Sequence, residues 1–315
     1  MLKNNQKNFS DYASLLFLAL LLLANILFTP NFFKLGTLQN SITQICPTIL
    51  CGMGMTLVIS TGGIDISVGS LMALSGVLMA KSMESIGIFP GILLAVFFSV
   101  LVGAFTGAMV GKLKLQAMVI TLGLMLGVRG VAQVLCDGRD IYFNTLGEKG
   151  ELLSAFGTMK FFGFIPVQFI PIVLSVLLIW ILIKKTALGV QIQAVGDSIK
   201  SSNLVGIHSD RVFIFVYGLS AFFAAIAGIM QASKVSVAAG SSLGQLAELD
   251  AIAAVVIGGT PMSGGRARVL GTVLGAMIMQ CITLTCVMNN IPDQYAQVVK
   301  AMMIVFAVYI QRERS

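Results

Sequence analysis

Gly62-Gly63-Ile64-Asp65-Ile66-Ser67-Val68-Gly69-Ser70 is a turn of glycine and small polar residues set between two apolar runs. Its spacing returns later in the chain. Gly62-Gly63-x-x-x-Ser67-x-Gly69 matches Gly258-Gly259-x-x-x-Ser263-x-Gly265, and each follows a β-branched apolar run, Thr56-Leu57-Val58-Ile59 and Ala254-Val255-Val256-Ile257. The echo has two readings: tight turns between helices, or two interrupted helices at matching places, as in a transport pathway built from repeats. The second follows because irregular backbone survives at membrane depth only where protein or water satisfies its polar groups. Asp65, just ahead of Ser67 and the apolar run Val68 to Met79, is either a helix N-cap or a carboxylate used in gating or solute binding.

The rest of the chain sets the class. Of its 315 residues 57% are hydrophobic and 10% charged, and mean hydropathy is +0.95. Soluble domains run near a quarter charged, so this is an all-α polytopic membrane protein. The net charge of +7 does not point to nucleic acid, because the basic residues come in twos and threes at the ends of apolar runs. The five cysteines, 46, 51, 136, 281 and 286, form no CxxC and have no histidine at metal spacing, His208 being the only one. Neither a disulfide framework nor a metal site is expected. The run Tyr12 to Phe28 ends in Thr29-Pro30-Asn31 without a small-x-small cleavage site and reads as a retained first span.

Apolar segments fall near 12–28, 40–60, 68–82, 91–111, 115–135, 164–183, 211–232, 248–260, 265–288 and 294–311, about ten spans with the third and eighth short. With the N-terminus in the cytoplasm, inner segments hold twelve of the twenty basic residues, among them Lys112, Lys114, Lys184, Lys185, Lys200 and the terminal Lys3, Lys7, Arg312 and Arg314. Six lie outside, so the positive-inside rule places both termini in the cytoplasm. Eight spans with two re-entrant segments would have the same orientation. The longest outer segment, 136–163, is polar and reads as an external cap or docking surface. Arg129 and Lys300 are charges inside spans; each marks a function or a buried partner, or snorkels to the surface.

The turn at 62–70 resembles the core signature of bacterial ABC importer permeases of the ribose type. Two further blocks carry the same resemblance. The inner loop after Lys184-Lys185 has Leu188-Gly189, Ala194-x-Gly196 and Gly206-Ile207 where such permeases flank a short helix that docks on the ATPase subunit. That helix departs from the family's Asn-Glu-Ala-Ala with Ser198-Ile199-Lys200-Ser201, which leaves the individual contacts and the choice of ATPase open. Glu248-Leu249-Asp250-Ala251-Ile252-Ala253-Ala254-Val255-Val256-Ile257-Gly258-Gly259-Thr260, followed by Gly264-Gly265-Arg266, looks like the second signature nearly residue for residue.

The resemblance covers roughly 40–310 and implies one permease domain over 1–315, with 184–210 as a cytoplasmic coupling loop. It implies a second permease copy or a paralogue beside it in the bacterial inner membrane. An ATP-binding subunit below would hold ATP and magnesium, and an extracytoplasmic binding protein would deliver a monosaccharide or sugar-like solute. Leu188, Gly189, Ala194, Gly196, Asp197, Lys200, Leu204, Gly206 and Ile207 would form the coupling segment. This chain binds no cofactor in that scheme. It has no Walker A loop, since Gly111-Lys112 is followed by Leu113 and has Thr106 where the first glycine belongs.

Neutral hydrogen-bonding side chains in apolar spans, Asn40, Thr43, Gln44, Thr121, Gln133 and Gln280, are candidates for the translocation path, each otherwise a helix-to-helix hydrogen bond. The alternative function is a secondary transporter driven by an ion gradient. Such proteins place a carboxylate near the midplane, whereas every Asp and Glu here falls at a predicted span end or in a loop. No acid, base or metal cluster suits an enzyme.

Overall fold

The computed structural model describes residues 2–311; Arg312 and Arg314, and the side chains of Lys3 and Lys7, lie outside the described residues. The helices are α1 (Leu2–Phe28), α2 (Leu35–Ser60), α3 (Val68–Ile86), α4 (Ile88–Gly111), α5 (Ala117–Leu135), α6 (Gly147–Thr158), α7 (Phe169–Lys185), α8 (Ala187–Asp197), α9 (Ile199–Leu204), α10 (Ser209–Val235), α11 (Ala247–Ile257), α12 (Val269–Met288) and α13 (Asp293–Gln311). Four two-residue strands accompany them: β1 (Ile141–Tyr142) pairs antiparallel with β4 (Val237–Ala238), and β2 (Lys160–Phe161) with β3 (Ile165–Pro166).

Each apolar segment of the sequence carries a helix. Among the described residues α2, α4, α5, α10 and α12 are long and apolar enough to cross a membrane, and α7 with α8, bent by 76°, makes a sixth candidate. The fold is an all-α polytopic bundle. Its layering follows from burial: 72% of the apolar window of α10 and 67% of that of α2 are buried, against 22% for α4 and 17% for α5. The two central helices are wrapped by the rest. The outer faces stay apolar, with Phe97, Leu101 and Phe105 of α4 exposed in succession, a surface that water would not tolerate and lipid does.

What brings α4 against α10 is a stripe of small residues. Gly103, Gly107 and Gly111 recur every fourth position on one face of α4. A Cβ on Gly107 would lie 2.5 Å from the Phe213 carbonyl oxygen and from Ile214 Cα, so only glycine lets the two backbones meet. Without a hydrophobic force between helices in lipid, such close packing is what holds them together.

The chain between α2 and α3 does not simply reverse. Gly54 of α2 faces Ser220 of α10, and the Asp65 carboxylate reaches the same Ser220 hydroxyl at 3.1 Å. The segment after Ser60 has therefore turned back alongside α2 by about six residues of helix, or about 9 Å. As a result α3 starts inside the bundle, its first turn beside that of α11: Gly69 packs against the Gly244 carbonyl and the Glu248 carboxylate. Two helix N-termini meet there with acidic side chains at their positive ends.

Candidate functional site

The three sequence blocks converge on one junction. α2 ends in a Schellman cap: Gly63 N–H donates to Val58 O at 3.1 Å and Gly62 N–H to Ile59 O at 2.9 Å, with Gly62 at φ +79°. α11 ends in the same way, Thr260 N–H to Val255 O at 3.2 Å and Gly259 N–H to Val256 O at 2.9 Å, with Gly259 at φ +87°. The hydrogen bonds thus equate Gly62 with Gly259, one residue out of step with the sequence echo, which sets Gly62 on Gly258. Ser67 and Ser263 are correspondingly not equivalents. Ser67 is buried and precedes α3, while Ser263 is exposed in the second turn.

Past their caps the turns touch. Gly265 N–H donates to Ser60 O at 3.0 Å, and Ser60 Oγ donates to Arg266 O at 3.0 Å. The end of α8 closes the junction from a third side. A Cβ on Gly196 would fall on the Ser60 carbonyl oxygen and 2.5 Å from Gly265 N, and one on Gly265, at φ +82°, would fall on an Asp197 carboxylate oxygen. Gly196 is glycine because three backbones occupy this point, and Gly265 because of its left-handed backbone beside the Asp197 carboxylate.

The segment 186–207 is built to hold its shape. Thr186 Oγ1 accepts from Gly189 N–H at 3.3 Å and caps α8, and Gly189 has no room for a Cβ against the Leu182 and Ile183 carbonyls, which permits the sharp bend after α7. Lys184 and Lys185 complement the α7 C-terminus. Ser198 caps α9 through Ser201 N–H at 3.2 Å. The inward side of α8 buries Ile192 and Val195, while α9 turns Ile199, Leu204 and Val205 outward, Leu204 at 88% and Val205 at 75% exposure. Lys200 is exposed beside them, and Gly206, at φ +86°, has open space around it. The N–H of Ser209, the first residue of α10, donates to Asn203 Oδ1 at 3.4 Å.

A second cluster lies where α3 and α11 begin. Asp65 is 1% exposed; its Oδ1 accepts from Ser67 N at 3.0 Å and Ser67 Oγ at 2.6 Å, and its Oδ2 from Ser220 Oγ. It closes a turn into α3 and ties that turn to α10, which is more than an N-cap and does not present it to an open path. Replacing it by leucine strands two hydroxyls and an N–H and should cost about 3 kcal/mol or more, whereas Asp65→Asn keeps the Oδ1 bonds and should cost under about 1 kcal/mol. Thermal unfolding of the two purified variants in detergent checks this ranking.

Both intramembrane cations find partners at α11. Arg129 Nη1 donates to Leu243 O at 2.6 Å and to Ser241 O at 3.3 Å, and its guanidinium shares the Gly69 neighbourhood with the Glu248 carboxylate. Lys300 Nζ lies 3.0 Å from Asp250 Oδ1, so it is paired and not snorkelled. The carboxylates involved stand where the sequence puts them, Asp65 in the connection before α3 and Glu248 and Asp250 in the first turn of α11; Asp65 and Glu248 are buried there and Asp250 is half-buried.

The neutral polar residues divide. Thr121 is fully buried and bonds to Ala117 O at 3.0 Å, and Thr43 bonds back to Gln39 O at 2.8 Å. Gln280 Nε2 of α12 donates to Gln44 Oε1 of α2 at 2.8 Å, a helix-to-helix bond at an exposed face, and Asn40, one turn away, and Gln133 of α5 are exposed.

Residues 37–308 match the family described as branched-chain amino acid transport system / permease component. The chain belongs to this family. It is similar to the galactofuranose transporter permease protein YtfT of Escherichia coli (strain K12), with 38% identity over 306 residues, 94% of this chain and 88% of that one. It is similar also to the ribose import permease protein RbsC of Haemophilus influenzae, with 36% identity over 317 residues, 98% and 97%. The fructose import permease protein FruF of Bifidobacterium longum shares 36% over 253 residues, 80% and 70%. No solved structure gives a significant match. The protein is thus a multi-pass membrane permease component of an ABC importer, not an enzyme, with ATP hydrolysis on a separate subunit and a solute-binding protein as a further partner. The family match supports this reading and not the ion-gradient alternative.

Proposed function

We propose that this permease carries a monosaccharide or sugar-like solute across the bacterial inner membrane. It would do so as one of two copies, or with a paralogue, above ATPase subunits that hold ATP and magnesium. Its relatives, permeases named for galactofuranose, ribose and fructose, support the substrate class. The ten apolar helices, α1 to α5, α7 and α10 to α13, support an even number of spans with both termini in the cytoplasm. In this arrangement α8 and α9 lie on the cytoplasmic face and the 136–168 segment lies outside.

The observation that carries the mechanism is the junction of Ser60, Gly196 and Gly265. An ATPase dimer closing on α9 would push on α8, and α8 bears on the ends of α2 and α11 at once. Both helices run from that junction into the bundle, so one displacement below reaches the buried N-termini of α3 and α11. Asn40, Gln44, Gln133 and Gln280 would line the path with neutral groups that suit hydroxyl-rich solutes and leave selectivity to the binding protein.

The test is uptake of labelled ribose, galactofuranose and fructose by vesicles holding the permease with its ATPase and binding protein. ATP-dependent uptake that survives collapse of the ion gradients is expected. Uptake that follows a proton or sodium gradient without ATP would overturn the reading.

A further inference from the structure

The segment between α5 and α7 carries an exposed apolar surface. Gly150, Leu153 and Gly157 of α6 face the protein; Leu152 and Phe156, one turn apart, form an exposed apolar strip that Glu148 continues one turn earlier, and Glu151 is exposed on the edge beyond it. The apolar side continues into the β2–β3 hairpin, whose tip residue Phe162 is 91% exposed.

The height of this element is fixed by the ends of the membrane helices. Lys149 Nζ donates to Met83 O at 3.1 Å and Glu84 O at 2.8 Å in the last turn of α3. Gly157 packs on the Ser233 and Lys234 backbone at the end of α10, and Gln168, just before α7, bonds to Gly157 O. β1 pairs with β4 directly after α10. An element bound to the ends of α3, α7 and α10 lies where hydrocarbon gives way to headgroups. Exposed apolar side chains on α6 and exposed aromatics on the hairpin at that level meet the acyl boundary, while the carboxylates beside them stay in water.

We infer that α6 and the β2–β3 hairpin form a lipid anchor, with Leu152, Phe156 and Phe162 inserted at the headgroup–acyl boundary and Glu148 and Glu151 in water. The occupant is the bilayer and not a protein, because the apolar flank is continuous with the lipid-facing surface of the bundle. Phe169 and Ile170, exposed at the start of α7, follow the hairpin directly. The inference rests on the membrane setting alone and is independent of the solute.

Trp180 is the only tryptophan, so depth can be read at a single site. In a Trp180→Phe chain, Phe162→Trp and, separately, Phe156→Trp are placed in vesicles whose lipids carry bromine at shallow or deep acyl positions. Both variants should emit in the blue and lose roughly half their fluorescence to shallow bromine, with less loss to deep bromine, as fits insertion by about 5–10 Å. Red emission quenched by aqueous acrylamide, or blue emission quenched by neither agent, would overturn it. The first outcome means water and the second a protein cover. Neither would touch the transport reading, since ATP-driven uptake is measured separately.

Discussion

Gly196→Val is expected to abolish solute uptake while the permease still reaches the membrane and still recovers its ATPase. The first carbon of any side chain at this position falls on the Ser60 carbonyl oxygen, and its neighbour is the Gly265 N–H that bonds to that oxygen. Neither obstacle is a side-chain tip that can rotate away. Overpacking of this kind costs about 1–3 kcal/mol, and the lost hydrogen bond adds about 1 kcal/mol. α8 must then lift off the ends of α2 and α11. Ile199, Leu204 and Val205, the exposed residues at which the ATPase is proposed to dock, are not among the residues that meet at the junction, so docking should be retained. ATP hydrolysis should therefore continue without moving solute, with uptake down by on the order of a hundredfold at a loss of about 3 kcal/mol. Parallel assays of ATPase activity and uptake in vesicles decide it; uptake within twofold of the native chain would show that the three-way contact transmits nothing.

The second large effect is expected at the buried charges. Arg129→Met removes the cation facing Glu248, whose Oε2 accepts no hydrogen bond among the described residues and which is 8% exposed. Leaving such a carboxylate uncompensated costs about 3 kcal/mol, and in a chain of this size that lowers the unfolding midpoint by roughly 4–6 °C. Glu248→Gln added to Arg129→Met should recover about half of that shift, because the charge problem is gone and only the bonds from Arg129 to Leu243 and Ser241 remain lost. A double variant whose shift is the sum of the two single shifts would mean that the pair is not coupled.

The sequence made some of this plain and hid the rest for physical reasons. Hydropathy located the apolar helices, because lipid demands long apolar runs. The glycine pairs marked the ends of α2 and α11 because a Schellman cap needs φ > 0 at one position. That the caps register on Gly62 and Gly259 was hidden, since glycines neighbouring in sequence look alike until the hydrogen bonds show which one is left-handed. The stripe Gly103, Gly107 and Gly111 was legible as a small-x-x-x-small repeat and is the signal that would have paired α4 with a partner. Nothing in one dimension showed that Asp65 folds back beside Gly54, because that path depends on α10, far along the chain. The same holds for Lys300 and Asp250, which are brought together only by α11 and α13. Gly196 was marked by its place in the Ala-x-Gly block, but the reason for it, three backbones at one point, is visible only in three dimensions.

The most direct measurement is recovery of the ATPase subunit with the permease after gentle extraction, for the native chain and for Leu204→Glu/Val205→Glu. Both side chains are exposed at the end of α9, and neither is needed for the fold. If α9 is the docking element, the native chain brings down a separate ATPase and the doubly charged chain, equally abundant in the membrane, brings down less than a tenth as much, a loss of about 1.4 kcal/mol or more. Equal recovery from both chains would place docking elsewhere and remove α8 and α9 from the path that links ATP to the pore.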